Sequence, residues 1–253
     1  MTPFITPLIT VAALCAGWLL GSFVRDRLPG HHLRDDSKEL VQTASAMIAT
    51  LVALVIGLLV SSAKNSLDQA NDGLTQSGTK VILLDRTLRR YGPEAMPIRI
   101  QIKDTIEDAI ERLWPSGNAP KAGTATVVHN RAIDEVQNMI ESLAPKDESK
   151  RNLRTQALQS CDDLGQSRWL MIEKAQTALP TPFLVILILW LTVLFTLLGL
   201  LAPRNVTTVT CSFVCAISMA GAILLIMEMN RPFDGLIQAS PGPLLKALSV
   251  IAR

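Results

Sequence analysis

The sequence predicts an all-α membrane protein in which four transmembrane helices form two hairpins flanking an extramembrane helical domain. Three observations favour this fold class: long uncharged stretches, a charge-rich central region, and apolar residues at helical spacing within that region. Only 18% of the 253 residues are charged, whereas a soluble domain of this size carries about 25%. The deficit is concentrated, since residues 1–24 contain no charged side chain and residues 177–230 contain only Arg204 and Glu228.

Four apolar stretches are long enough to cross a membrane as helices. They are residues 4–24, 41–63, 183–202 and 206–227. None of them contains Asp, Glu, Lys or Arg, and about 20 apolar residues suffice to span a hydrocarbon core of roughly 30 Å. We therefore expect a first transmembrane hairpin in residues 1–63 and a second in residues 180–230.

The region between the hairpins, residues 64–179, is predicted to be a helical bundle that continues from the second span. Leu67, Leu74, Val81 and Leu88 recur every seven residues, which is typical of one apolar face of a helix. Because no helix breaker separates this stripe from the second span, we expect one helix from about residue 41 to 90. Gly92-Pro93 should end it.

Three further helices are expected in this domain, at about residues 97–113, 125–143 and 148–179. The C-terminal tail, residues 231–253, should contain a short helix that lies at the membrane interface or packs on the bundle. Ser240 is the expected N-cap and Pro241 the first helical residue. The apolar face of this helix would consist of Leu244, Leu245, Leu248 and Ile251.

Charge and motif content exclude several function classes. Residues 64–179 contain 16 basic and 16 acidic residues, so the domain lacks the basic excess that nucleic-acid binding requires. No phosphate-binding, dinucleotide-binding or zinc-protease motif occurs, and we expect no catalytic residue, cofactor or metal. Ser61 and Lys64 spell S-x-x-K, but the companion motifs S-D-N and K-T-G are absent.

The second span carries small and hydroxyl-bearing residues along one continuous helical face. This small-residue face consists of Thr43, Ala46, Thr50, Ala53, Gly57, Ser61 and Lys64. Leu51, Val55, Leu58 and Leu59 are expected on the opposite face. The small-residue face either packs against another helix or lines a water-filled pore in an oligomer, where hydroxyl groups and a basic mouth at Lys64 would favour anions.

The other spans give weaker indications. Ala13, Gly17 and Gly21 form overlapping small-xxx-small pairs in the first span, which allow another helix to approach closely. Glu228, Arg231 and Asp234 form a charged cluster at the end of the fourth span, either as an interfacial anchor or as a channel vestibule. Coupled transporters usually carry ionisable residues at mid-membrane depth. None occurs there in this sequence, so a passive channel or a scaffold is favoured.

Several segments resemble the bacterial bestrophin-like family of multi-pass membrane proteins. The resemblance is carried by MEMNRPFDGLIQASPGPLLKAL at 227–248, LVALVIGLLVSSAKNSLD at 51–68 and LAPRN at 201–205. It implies a pentameric anion channel lined by the second transmembrane helix, as in bestrophins. Two departures stand out: Asn230 replaces an expected acidic residue, and residues 41–63 contain none of the aromatic residues that form the bestrophin pore constriction.

These observations predict a homo-oligomer in the lipid bilayer of the bacterial inner membrane, acting as a passive channel for inorganic anions. The alternative is a non-conducting scaffold or sensor that binds a partner through its helical domain. Loops rich in Lys and Arg tend to remain in the cytoplasm. The short hairpin connections hold Arg25, Arg27, Arg34, Lys38 and Arg204, which predicts a helical domain on the periplasmic or extracellular side. The bestrophin resemblance implies the reverse orientation.

Overall fold

The computed structural model describes residues 5–27, 35–114, 125–176, 181–203, 205–233 and 235–252. Within these ranges the regular structure is helical and contains no strand, which confirms the predicted all-α class. In chain order the helices are α1 (Ile5–Arg27), α2 (Asp35–Tyr91), α3 (Met96–Leu113), α4 (Ala125–Glu141), α5 (Glu148–Gln176), α6 (Thr181–Leu201), α7 (Val206–Met229) and α8 (Gly242–Ile251).

Four of the described helices are long and apolar enough to cross a membrane. These are α1, the stretch Lys38–Tyr91 of α2, the stretch Pro182–Leu201 of α6, and α7, which contain 18-residue windows with mean hydropathies of 1.9, 2.4, 2.9 and 2.3. Each overlaps one of the four predicted spans, so the four-span membrane fold is confirmed.

The chain folds into two compact units. Met1–Asn65 and Ala178–Arg231 form the first, here called the membrane unit, and Ser66–Thr177 and Pro232–Arg253 form the second, here called the helical domain. The 57-residue helix α2 contributes its first part to the membrane unit and its second part to the helical domain. It runs from Asp35 to Tyr91, close to the predicted 41–90, and ends before Gly92, whose φ of 122° favours glycine.

The membrane unit is built on close contact between α1 and α6. A Cβ atom at Gly21 would lie 1.9 Å from the carbonyl oxygen of Thr196, and one at Gly199 would lie 2.2 Å from that of Trp18. Gly17 similarly faces the backbone of Thr192. The small residues predicted in the first span therefore serve helix packing, and they do so within the protomer, because only glycine lets these backbones approach so closely.

We expect Gly21→Val or Gly199→Leu to disrupt the membrane unit. The added side chain would overlap backbone atoms, which cannot move as a flexible side chain can, so α1 and α6 must separate. After extraction in mild detergent, both variants should aggregate at temperatures that leave the wild-type protein intact, as measured by size-exclusion chromatography after heating. Gly221→Val on α7 is the matched control, because a Cβ there meets nothing within 4 Å; equal heat sensitivity of the control would refute the packing argument.

The core of the helical domain is formed by the apolar stripes of its helices. Leu74, Val81 and Leu88 on α2 are at most 5% exposed, as the seven-residue spacing predicted, whereas Leu67 is only partly buried. Leu84, on the same side of the helix, is buried as well. Ile98, Ile102 and Ile106 on α3 and Ala157 and Cys161 on α5 join the same cluster. On α4, Val136 and Ile140 are buried, whereas Met139 and Leu143 are only partly buried.

The C-terminal helix α8 packs into this core. Leu244, Ala247 and Ile251 are buried against it, whereas Leu245 is 47% exposed, so the predicted apolar face is wrong at that residue. Helix α8 begins at Gly242, one residue later than predicted, and the Ser240 hydroxyl accepts a hydrogen bond from the Gly242 N–H at 3.2 Å. A Cβ at Gly78 would lie 2.8 Å from the carbonyl oxygen of Pro243, so α2 and the start of α8 are in close backbone contact.

One carboxylate in the domain core connects three helices. Asp85 on α2 is 2% exposed, and its oxygens lie 2.6 Å from Nε of Arg99 on α3 and 3.2 Å from Nη2 of Arg89. Arg99 also donates a hydrogen bond to the carbonyl oxygen of Ile251 on α8, at 3.3 Å. Asp85 thus neutralises the charge of the Arg99 guanidinium group, which binds α8 through the carbonyl oxygen of Ile251.

The thiol of Cys161 should resist alkylation while the domain is folded. Burial, and secondarily the neighbouring Asp162 carboxylate, raises the pKa of this thiol to about 11. Because the thiolate is the reactive form, its fraction at pH 8 is about a hundred times lower than for an ordinary thiol. In a variant whose other cysteines are serine, maleimide labelling should be slow and should accelerate as pH rises. A single cysteine at exposed Gln156 on the same helix is the control, and equal rates at both positions would contradict the expected protection.

Candidate functional site

The predicted small-residue face of α2 is exposed along its whole length in the protomer. Its members are Thr43, Ala46, Thr50, Ala53, Gly57, Ser61 and Lys64, and each of them is exposed. The helix instead packs into the membrane unit through Val52, Leu59 and Ala63, which are at most 7% exposed. No helix described in this chain covers the small-residue face, so both alternatives, packing against a helix of a second copy and lining a pore, stay predictions.

Glycines in the membrane unit separate into two kinds. Gly17, Gly21 and Gly199 are in close contact with backbone atoms of a neighbouring helix, whereas a Cβ at Gly57 would meet nothing within 4 Å. A glycine in a helix costs about 1 kcal/mol relative to alanine, and within the protomer Gly57 gains no contact in return. Its small size becomes useful only if something outside the protomer occupies the adjacent space.

The apolar residues of the second span lie on two faces and not on one. Leu59 is buried and Val55 is half-buried, while Leu51 and Leu58 are 49% and 62% exposed. Met47 and Leu54 are also exposed, at 65% and 61%. Helix α2 therefore presents two different surfaces outward: one of large apolar side chains suited to lipid or another protomer, and the small-residue face beside it.

The threonine hydroxyls of the small-residue face are engaged within their own helix. Thr43 donates to the carbonyl oxygen of Glu39 and Thr50 to that of Ala46, both at 2.9 Å. A hydroxyl has one hydrogen to donate, so these two side chains present oxygen lone pairs outward and no free donor. Sequence reasoning credited the hydroxyls with a preference for anions, but in this geometry Thr43 and Thr50 do not supply it.

The charged cluster at the end of α7 is only partly described. Helix α7 ends at Met229, two residues beyond the predicted span 206–227. Glu228 is 3% exposed, whereas the Arg231 side chain is exposed; Asp234 lies outside the described residues. The Arg231 N–H donates to the Glu228 carbonyl oxygen at 3.1 Å, closing the helix end. In the part of the chain that the structure describes, no group of three or more His, Cys, Asp or Glu residues could hold a metal ion.

Comparison with known families identifies the fold. A family model described as a bestrophin-like domain matches residues 12–244. The chain belongs to the bestrophin-like family. The match covers most of α1, the other three spans and most of the helical domain of this bestrophin-like chain, which confirms the resemblance seen in the sequence.

Solved structures agree with this assignment. Crystal structures of two single-substitution variants of a bacterial bestrophin homologue from Klebsiella pneumoniae match with TM-scores of 0.64 and 0.63, at 14% and 17% identity. The matches cover 100% and 99% of the bestrophin-like chain and 100% and 98% of the homologue. The crystal structure of another membrane protein variant matches with a TM-score of 0.62 at 14% identity, covering 96% and 97% of the two chains. No curated protein matches the sequence.

Proposed function

We propose that the protein is a homo-oligomeric passive channel for inorganic anions, in which α2 of each protomer lines the conduction path. The single observation that carries the proposal is the exposure of the small-residue face, with open space at Gly57, on a helix whose opposite side is packed into the membrane unit. Four spans in one chain leave little room for a pore, so the path requires several copies around an axis. The bestrophin resemblance implies five.

Two measurements on the purified wild-type protein test this proposal. Mass photometry in detergent should give a particle several times the mass of the 27.5 kDa chain, and five times that mass would support the pentamer. Proteoliposomes loaded with chloride should release it down its gradient faster than protein-free vesicles. A protomer-sized particle at all concentrations, or no chloride release from the oligomer, would refute the channel.

The alternative function is a non-conducting scaffold that binds a partner protein through the helical domain. One observation favours it: Leu83, Met96 and Ile100 are large apolar side chains of the domain, yet each is at least 50% exposed. Met96 and Ile100 lie one turn apart on α3, and adjacent exposed apolar side chains are typical of interaction sites. Oligomers that release no chloride in the same assay would favour the scaffold.

We place the protein in the bacterial inner membrane, with the helical domain on the periplasmic side. The greater density of Lys and Arg in the two short hairpin connections supports this orientation. A reporter fused to the C-terminus reads the location of the domain directly, because α8 is part of the domain core. Alkaline phosphatase fused there should be active, and a fluorescent protein that matures only in the cytoplasm should be dark. The opposite pattern would place the domain in the cytoplasm.

A further inference from the structure

We propose that Arg86 and Arg90, on the helical-domain part of α2, attract anions into the conduction path and set its preference for anions over cations. This inference rests on the proposed function, because it needs α2 to line a path for ions. It assigns the charge selectivity to two guanidinium groups outside the membrane span, and not to the hydroxyl groups within it.

The arginines near Asp85 fall into two groups, those that form an ion pair with it and those that do not. Arg89 and Arg99 are paired with the buried Asp85 carboxylate. Arg86 and Arg90 are exposed, and neither forms an ion pair with any side chain that the structure describes. The nearest exposed acid in sequence, Glu94, is paired with Lys150 at 2.9 Å, which lowers the pKa of its carboxyl group. Among the described side chains, neither of these two positive charges therefore has an ion-pair partner.

Helical register aligns Arg86 with the small-residue face and places Arg90 at the edge of that face. Thr50 and Arg86 are 36 residues apart, which is ten turns of 3.6 residues in the continuous helix α2, and Arg90, four residues later, lies about 40° further round the helix. Thr75 and Thr79 are exposed at neighbouring positions of the same register, and each donates its hydroxyl to the carbonyl four residues earlier. If the small-residue face borders the path, so do Arg86 and Arg90.

The other charges of this face are less suited to selecting anions. Lys64 is followed one turn later by Asp68, and opposite charges four residues apart on a helix offset each other. Asp72 adds a further negative charge. In an oligomer, each copy would contribute Arg86 and Arg90 to one positively charged ring, which raises the local concentration of anions and lowers that of cations.

The test is the current through planar bilayers containing the full-length protein in potassium chloride. Arg86→Gln combined with Arg90→Gln should reduce conductance at about 50 mM salt by up to about tenfold and shift the reversal potential in a salt gradient towards the potassium equilibrium potential. At about 1 M salt the difference should nearly vanish, because charges are then screened over about 3 Å. Arg86→Lys with Arg90→Lys keeps the charge and should restore both properties.

The matched control is Arg112→Gln on α3, an arginine of the same domain that is 38% exposed and paired with Asp108. It should leave conductance and selectivity unchanged. A different outcome is a wild type that conducts and a double glutamine variant that keeps the same low-salt conductance and reversal potential. That result would refute the role of Arg86 and Arg90 but not the proposed channel. A wild-type protein that passes no current would overturn both.

Discussion

Gly57→Trp is expected to abolish chloride release from proteoliposomes while leaving the oligomer intact. Because a Cβ at Gly57 meets nothing within 4 Å in the protomer, the indole ring projects outward and does not disturb the fold. If the small-residue face lines the path, every copy places one ring in it, and release should fall to the level of protein-free vesicles. Ser61→Phe, which lies about one turn further along the same face, should have the same effect.

Leu58→Trp is the matched control for this experiment. It changes the adjacent residue, which is 62% exposed but belongs to the face of large apolar side chains. Successive helical positions are about 100° apart, so this side chain points away from the path and release should stay near the wild-type rate. Equal loss in the Leu58 and Gly57 variants would contradict the assignment of faces. Loss of the oligomer in the Gly57 variant alone would show that Gly57 packs against another copy.

The second large effect is expected at Asp85. Asp85→Ala removes the carboxylate that faces the Arg99 guanidinium, whose side chain is only 14% exposed. Breaking one side of a buried ion pair costs about 3–5 kcal/mol, and in a domain of this size that corresponds to a fall in melting temperature on the order of 10 °C. The loss should also release α8, because Arg99 binds the carbonyl oxygen of Ile251.

Asp108→Ala provides the control for Asp85→Ala. Asp108 also pairs with an arginine, Arg112 at 3.4 Å, but its side chain is 65% exposed, and exposed pairs of this kind contribute about 0.3–0.5 kcal/mol. Both variants should be made in the background that retains only Cys161, since this thiol lies in the same core and becomes reactive when the domain unfolds. Labelling at increasing temperature then reports unfolding. Equal midpoints for the two variants would show that Asp85 is dispensable.

The helices were predictable because each carries its own repeating pattern. The length of α2 followed from the absence of a breaker between the second span and Gly92, and the stripe from Leu74 to Leu88 marked its buried side in the domain. On α4, spacing alone could not choose between the adjacent apolar residues Met139 and Ile140, of which Ile140 is the buried one. At Leu245 the pattern failed for a related reason. The short helix α8 carries apolar residues on most of its faces, and only its packing partners decide which of them are buried.

The candidate site was predictable only in part. The small-residue face of α2 was visible in the sequence, yet the sequence could not show that it is exposed, because packing faces and pore faces both use small residues. The role of Asp85 was missed, since one acid in a charge-balanced region attracts no notice. Its only signal was its position beside Leu84 and Leu88, in the buried register of α2. Because the sequence did not reveal the ion pair between Asp85 and Arg89, it also could not show that Arg89 is paired whereas Arg90 has no ion-pair partner among the described side chains.

The place of α8 in the domain core has a consequence for how the cell makes this protein. A ribosome completes residues 66–177 before it has synthesised the last two spans, and Leu244, Ala247 and Ile251 emerge only after those spans. During insertion of α6 and α7 into the membrane, the nascent domain therefore exposes the apolar residues that α8 later covers. Its folding can finish only after α8 has left the ribosome, so chains truncated before Leu244 should insert into the membrane but be readily degraded by proteases.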